Sequence, residues 1–345
     1  MNADHDNCDA VRLVAALAVF VSHQLFLMNG QLIPVTRYLD LGWGGVMVFF
    51  ALSGYLVAGS WERDPHVVRF LMRRCLRIWP GLTVVTLMLT FVVDPLMTSW
   101  RVADYLRDLQ TWRFLGHLVL MPTEVLPGVF DANPMQKVDG PLWTLPLECG
   151  WYVLLTVAGA TVMRMSRHAV AVIWAACAFW LFIIEREEAP NVPRMFFFEF
   201  GLMFIGGTLL WVYRALYAAR RLQFGILLGT LAVCAYEAGH AYLAFAVLLL
   251  WMVIAIATMS TVGLRHAGRY GDLSYGVYIC GFPLQQIVLS FQGETASPVI
   301  GGLISLPLTL ALAWLSWHGI ESRMLRFKPT RPHPAVPEAG ACRSK

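Results

Sequence analysis

LGWGGVMVFFALSGYLVAGS, residues 41–60, runs for twenty positions without a charge. At 1.5 Å per residue, such a helix is about 30 Å long, the thickness of a bilayer's hydrocarbon core. Nine further stretches of this kind flank it, so the full set is 10–29, 41–60, 78–98, 143–163, 168–184, 195–213, 222–237, 240–259, 273–292 and 297–319. The 345 residues are 58% hydrophobic and 14% charged, with a mean hydropathy of +0.60. A soluble domain carries about a quarter charged residues, so this chain lacks the polar cover that water requires. A soluble or a disordered chain is excluded. The expected fold is an all-α integral membrane protein, a bundle of about ten transmembrane helices.

The segments between the spans orient them. With both termini inside, nineteen of the 26 Lys and Arg fall on the cytoplasmic side, five of them in residues 61–77. The positive-inside rule therefore predicts an N-in, C-in topology. The acidic leader MNADHDNCD lacks the basic start of a secretion signal, so the first span is expected to stay in the membrane. One long loop, 99–142, separates spans three and four. Within it, residues 104–121 (DYLRDLQTWRFLGHLVLM) mix charge with Leu, Trp and Phe and read as an amphipathic interfacial helix. Residues 1–328 are expected to form a single transmembrane domain, and the Pro-rich tail 329–345 a disordered cytoplasmic end. The seven cysteines are scattered without CxxC or Cys/His spacing, so neither a disulfide framework nor a metal site is expected. A formal charge of +4 gives no reason to expect a nucleic-acid partner.

An ionisable group inside a bilayer costs about 2.5–3.5 kcal/mol on insertion scales and asks for a reason. His23 lies eleven residues after Arg12, which puts both on one helix face, about 16 Å apart along the axis. Arg12 would sit at the cytoplasmic boundary and His23 beyond the midplane. A buried imidazole stays neutral and can act as a general base; the plainer reading is a histidine satisfied by a neighbouring helix. Glu148, six residues into a span, must be paired or protonated, and can neutralise an arginine, polarise a histidine or bind a sugar hydroxyl. Glu199 in FFFEFGLMF is a weaker instance. In RFLMRRCLRIWP, Arg69, Arg73 and Arg77 recur every four residues, with Arg74 three before Arg77. Such clusters grip phosphates, or merely hold a membrane protein's orientation. Gly42, Gly45, Gly54 and Gly59 let neighbouring helices approach the second span closely, and Ser53 and Tyr55 bring hydroxyls there.

Taken in order, these segments resemble the acyltransferase 3 family of integral membrane enzymes. Arg12 and His23 match its R-X10-H signature, and VMVFFALSGYLV is similar to its FFxLSGYL segment. Arg74, Arg77, Ile78 and Pro80 resemble its RxxRIxP stretch, and LWTLPLECGWYVL, carrying Trp143 and Glu148, its LWSLxxExxFYL element. SYGVYICGFPLQQ, with Tyr275 and Tyr278, resembles its late SYxxYxxHxP element, and HGIESRMLRF its usual ending. Two positions depart: Met47 stands where the family often has an acidic residue, and Gly281 where it often has a late histidine. The SGNH domain that some relatives carry is not expected after span ten.

The resemblance implies transfer of an acyl group, most often acetyl, from cytoplasmic acyl-CoA to a hydroxyl of a carbohydrate or glycolipid, in a bacterial inner membrane. Acyl-CoA would be a donor substrate rather than a resident cofactor. His23 would serve as base or acyl carrier, with Arg12 and Glu148 beside it. Arg73, Arg74 and Arg77 would hold the CoA phosphates. Ser53, Tyr55, Trp143, Tyr275 and Tyr278 would line the acceptor pocket. A transporter or flippase of a lipid-linked sugar is the alternative; the absence of an internal repeat weighs against it.

Overall fold

The structure is a computed structural model that describes residues 7–30, 33–36, 39–161, 168–186, 193–261, 263–293 and 296–331. Each predicted apolar stretch is helical where it is described. We number the ten long helices α1 (Cys8–Asn29), α2 (Leu41–Arg63), α3 (Val67–Met97), α4 (Thr144–Ala160), α5 (His168–Arg186), α6 (Pro193–Val212), α7 (Arg221–Glu237), α8 (Ala241–Ala257), α9 (Ser274–Gln292) and α10 (Pro298–Phe327). The first three and the last are long and apolar enough to cross a membrane by length and composition. In α5, α6 and α8 the apolar runs are shorter, at most 17 residues. Helix is the rule here because a backbone in hydrocarbon must satisfy its own hydrogen bonds. Among the described residues an isolated bridge pairs Thr98 with Val129 in the loop ahead of α4, and a short antiparallel ribbon, Pro34–Thr36 with Leu39–Asp40, precedes α2. Asp40 then caps that helix, its carboxylate accepting from the Trp43 amide.

The expected third span, 78–98, lies within α3, which begins at Val67, so the arginine-rich segment is helical and continuous with it. His66 caps that start, and the helix runs unbroken through Pro80. A wider π turn, Leu89–Val93, then joins it to its last turn. The interfacial segment 104–121 is not one helix. It divides into Val102–Arg107, Leu109–Phe114 and a 3-10 turn, Leu115–Val119. Asp108 breaks it, adopting an extended conformation in which its carboxylate accepts from the Gln110 amide, a local bond that competes with helix continuation. One face of this segment, with Tyr105 and Phe114, is buried, while Leu109 and Trp112 stay exposed. Of the tail, residues 332–345 lie outside the described residues.

Helix α2 is the hub, packed against α1, α4, α6 and α8. Its glycines explain how closely. A Cβ on Gly54 would strike the Phe204 carbonyl, and one on Gly207 the Ala51 carbonyl, so α2 and α6 meet backbone to backbone. On the other side a Cβ on Gly45 would meet Ala15 and Val19 of α1 at 2.7 Å, and one on Gly42 would meet Ser22 at 2.9 Å. Helix α9 lies beside α1, with Gln285 donating to the Phe20 carbonyl at 2.8 Å. Helix α3 closes against α4 and α9, and leaves a cavity between them and α1 and α2.

Candidate active site

That cavity has a volume of about 340 Å³, and its walls come from α1, α2, α3, α4, α9 and the end of α10. Its mouth is ionic. Asp272, just before α9, accepts from Arg77 Nη2 at 2.5 Å and from Arg12 Nη1 at 3.2 Å. Asp9 lies 3.9 Å from Arg12, and Glu321 of α10 lies 3.5 Å from Arg77. Burial alone would raise the Asp272 carboxyl. The Arg77 and Arg12 charges and two hydrogen bonds from Ser274 overcome it and hold the pKa at about 2. Arg73 turns the other way, to Asp64 at 2.7 Å, where Arg69 also binds at 2.6 Å. Hydrogen bonds from Arg69 and Arg73 push the Asp64 carboxyl well below the usual range. Arg74 has no carboxylate partner among the described residues; its guanidinium lies 5.8 Å from the Phe70 ring and 6.0 Å from the Tyr152 ring.

Further in, Glu148 Oε1 accepts from Ser53 Oγ at 2.9 Å and from the Tyr152 hydroxyl in a very short bond. The inner end is closed by the hydroxyls of Thr144 and Tyr278, 2.6 Å apart, with Tyr278 also donating to the Pro141 carbonyl at 3.0 Å. Tyr275 donates to the Ile78 carbonyl at 2.6 Å and lies under Arg77. The arrangement is a charged mouth narrowing to a hydroxyl-lined, partly apolar neck. It suits a long molecule with an anionic head and an uncharged arm.

A family model described as an acyltransferase domain matches residues 5–318. The chain belongs to the acyltransferase 3 family. This acyltransferase is 28% identical over 328 residues to a protein named O-acetyl transferase from Shigella phage Sf6, covering 92% of this chain and 96% of that one. It is 25% identical over 355 residues to Nodulation protein 10 of Rhizobium leguminosarum bv. viciae, covering 94% of each chain. An acyltransferase of Streptomyces mycarofaciens is 26% identical over 196 residues, covering 53% of this chain and 49% of its own. No solved structure matches. The chain is therefore an acyltransferase and, with its apolar helices, an integral membrane protein.

Of the residues singled out in the sequence of this acyltransferase, the structure brings Arg12, Ser53, Arg73, Arg74, Arg77, Glu148, Tyr275 and Tyr278 to one cavity. His23, Tyr55 and Trp143 do not line it. Tyr55 is buried edge-on to Trp211, 5.1 Å between ring centroids, and Trp143 stacks on Trp43 at 5.9 Å. His23 meets the Phe282 ring edge-on at 5.2 Å. Phe282 lies one turn past Tyr278, and Val46, which lines the cavity, follows the Gly45 that packs on Val19. His23 thus stands about one helical turn, roughly 6 Å, beyond the inner end. At the place of the family's late histidine the packing is tight: a Cβ on Gly281 would meet the Phe20 ring at 3.0 Å. Met47, at the other departure, is fully buried with the Tyr242 hydroxyl against its sulfur.

Sequence reasoning missed Asp9, Asp272 and Lys328, all on the cavity wall. A signal for Asp272 did exist. An acid one residue before an apolar span, in a chain with arginines bordering two other spans, is a natural counter-charge.

Proposed function

We propose that the chain is an O-acyltransferase of a bacterial inner membrane that moves an acyl group, acetyl in the first instance, from cytoplasmic acyl-CoA to a hydroxyl of a carbohydrate or glycolipid. Residues 1–328 form its one membrane domain, crossing ten times with both termini in the cytoplasm. The observation that carries this reading is the cavity itself: arginines from α1 and α3 surround its mouth, and hydroxyl-bearing and aromatic side chains of α2, α4 and α9 line the rest. Arginine forks suit the phosphates of CoA. The neck, with its hydroxyls and aromatic rings, suits the uncharged thioester arm.

In this scheme Arg74 and Arg77 hold the phosphates at the mouth while the arm extends inward, and the Thr144–Tyr278 hydrogen bond that closes the inner end opens to let the thioester reach His23. The neutral imidazole takes the proton of the acceptor hydroxyl as its oxygen attacks the thioester carbonyl. The tetrahedral intermediate then collapses, the carbon–sulfur bond breaks, and the departing thiolate takes the proton from the imidazolium to leave as free CoA. In the two-step variant the imidazole nitrogen attacks first, the carbon–sulfur bond breaks and CoA leaves as the thiol with the ring's N–H proton; the acceptor hydroxyl then attacks the acyl-imidazole and returns its proton to the freed ring. Arg12 stays locked with Asp272 and keeps α1 in register with α9, which sets the depth of His23. Glu148, through Tyr152, orients the wall facing Arg74.

The names of the relatives favour transfer over transport. The test uses purified protein in nanodiscs with radiolabelled acetyl-CoA and a panel of glycans. Removing a positioned base lowers the rate about 10²–10⁴-fold, so His23→Ala should lose transfer to that extent while still binding CoA. Transfer at the wild-type rate in that variant would end the scheme.

A further inference from the structure

The cations around the cavity are not equivalent. Arg12 and Arg77 share Asp272, and Arg73 shares Asp64 with Arg69, so these lining guanidiniums already have carboxylate partners. Arg74 and Lys328 have none among the described residues. The Arg74 Nε is buried without a hydrogen-bond partner. Lys328 comes from the opposite direction, on the chain that follows α10, and stands exposed at the mouth. Its segment is tied across to α3, where Arg73 Nη1 donates to the Pro329 carbonyl at 3.3 Å. Partial burial, then the charges of Arg74, Arg77, Arg73 and Arg12, push the Lys328 ammonium below its usual pKa. Cations crowded in this way repel one another until an anion arrives.

We propose that Arg74 and Lys328 form a two-sided clamp for phosphate groups at the cavity mouth, and that the segment following α10 is thereby part of the donor site. The assignment rests on the acyl-CoA reading above. Arg74 offers a planar fork from the helix wall, and Lys328 a movable point charge from the rim, so together they can grip a diphosphate or a phosphate monoester from two directions. The compensated arginines frame the mouth and hold α1, α3 and α9 together, and Arg77 adds its charge to the phosphates from its place beside Asp272. An anionic lipid headgroup carries the same chemistry, and the test separates the two sources.

CoA binding to the full-length protein is measured by calorimetry in nanodiscs of phosphatidylcholine, and again with phosphatidylglycerol added. Wild type, Lys328→Ala and Lys328→Arg are compared, and pantetheine, which lacks the phosphates, is a second probe. Losing one charge-assisted contact should weaken CoA binding about tenfold in Lys328→Ala, and Lys328→Arg should restore most of it. Pantetheine binding should be the same in all three. In turnover, Lys328→Ala should raise KM for acyl-CoA about tenfold with kcat nearly unchanged, the pattern of a lost ground-state contact. Equal CoA affinity in wild type and Lys328→Ala would overturn the clamp and leave the acyl-CoA reading standing. A Lys328 effect seen only with phosphatidylglycerol would assign the clamp to lipid instead and overturn the donor role. Wild type that binds no CoA would remove the acyl-CoA reading and the clamp with it.

Discussion

Asp139, just ahead of the Gly140–Pro141 turn into α4, is buried and neither of its carboxylate oxygens has a hydrogen-bond partner. Burial, then the neighbouring Asp94 and Glu124, raises its pKa well above the usual carboxylate value. The folded chain therefore keeps a proton that the unfolded chain loses above about pH 4. Stability must fall as pH rises through that interval, because folding then has to retain a proton the solvent no longer supplies. Asp139→Asn removes the titration. Its thermal stability in detergent should equal or exceed wild type, with a margin that widens between pH 4 and pH 8; a margin independent of pH would contradict a neutral Asp139. Asp272 is the opposite case. Its pKa near 2 means that its clamp on Arg12 and Arg77 is intact above about pH 4 and is lost only as pH falls through about 2. Asp272→Asn leaves Arg12 and Arg77 only their longer contacts to Asp9 and Glu321 and should destabilise the protein by up to about 3 kcal/mol, measured by denaturant or thermal unfolding. At this scale the sequence was half legible. Arg12, His23 and Glu148 stand out because charge in an apolar run is costly. Which arginine is spent on a carboxylate is invisible, since Asp64 and Asp272 reach their partners through the fold.

Among the elements, the α2–α6 contact is the tightest. Gly54 and Gly207 each face a main-chain carbonyl, which cannot swing aside as a side chain can. Gly54→Val should therefore cost at least the 1–3 kcal/mol typical of overpacking, read as a lower melting temperature and poorer yield of folded protein. Gly229 in α7 is the contrast: nothing lies within 4 Å of the Cβ it would gain. Gly229→Ala should stabilise by up to about 1 kcal/mol, the usual advantage of Ala over Gly inside a helix. The glycine pattern of residues 42–59 announces close packing, but only the assembled bundle shows that Gly45 serves α1 and Gly54 serves α6. The loop segment 104–121 was misread because its apolar and charged residues alternate plausibly along a helix. The capping habit of Asp108, a single side chain satisfying the Gln110 amide, outweighs that periodicity.

For the whole molecule, apolar runs are a reliable guide to helices because each must satisfy its backbone alone, so the ten stretches were legible from end to end. The cavity was not, being assembled from residues as far apart as Arg12 and Asp272, 260 positions along the chain. The proposed topology predicts that reporters fused to either terminus read as cytoplasmic, for example an active fluorescent protein and an inactive alkaline phosphatase at both ends. A phosphatase active at one end would mean an odd number of crossings. The way the two ends of the chain meet at the mouth also bears on biosynthesis. Asp9 and Arg12 enter the membrane with the first helix the ribosome delivers, and Asp272, Glu321 and Lys328 come with the last. Until then Arg12 and Arg77 have no shared counter-ion and the mouth has no far wall. A chain that stops before α9 should therefore show no acyl transfer in the nanodisc assay, and competence should come only when synthesis is nearly finished.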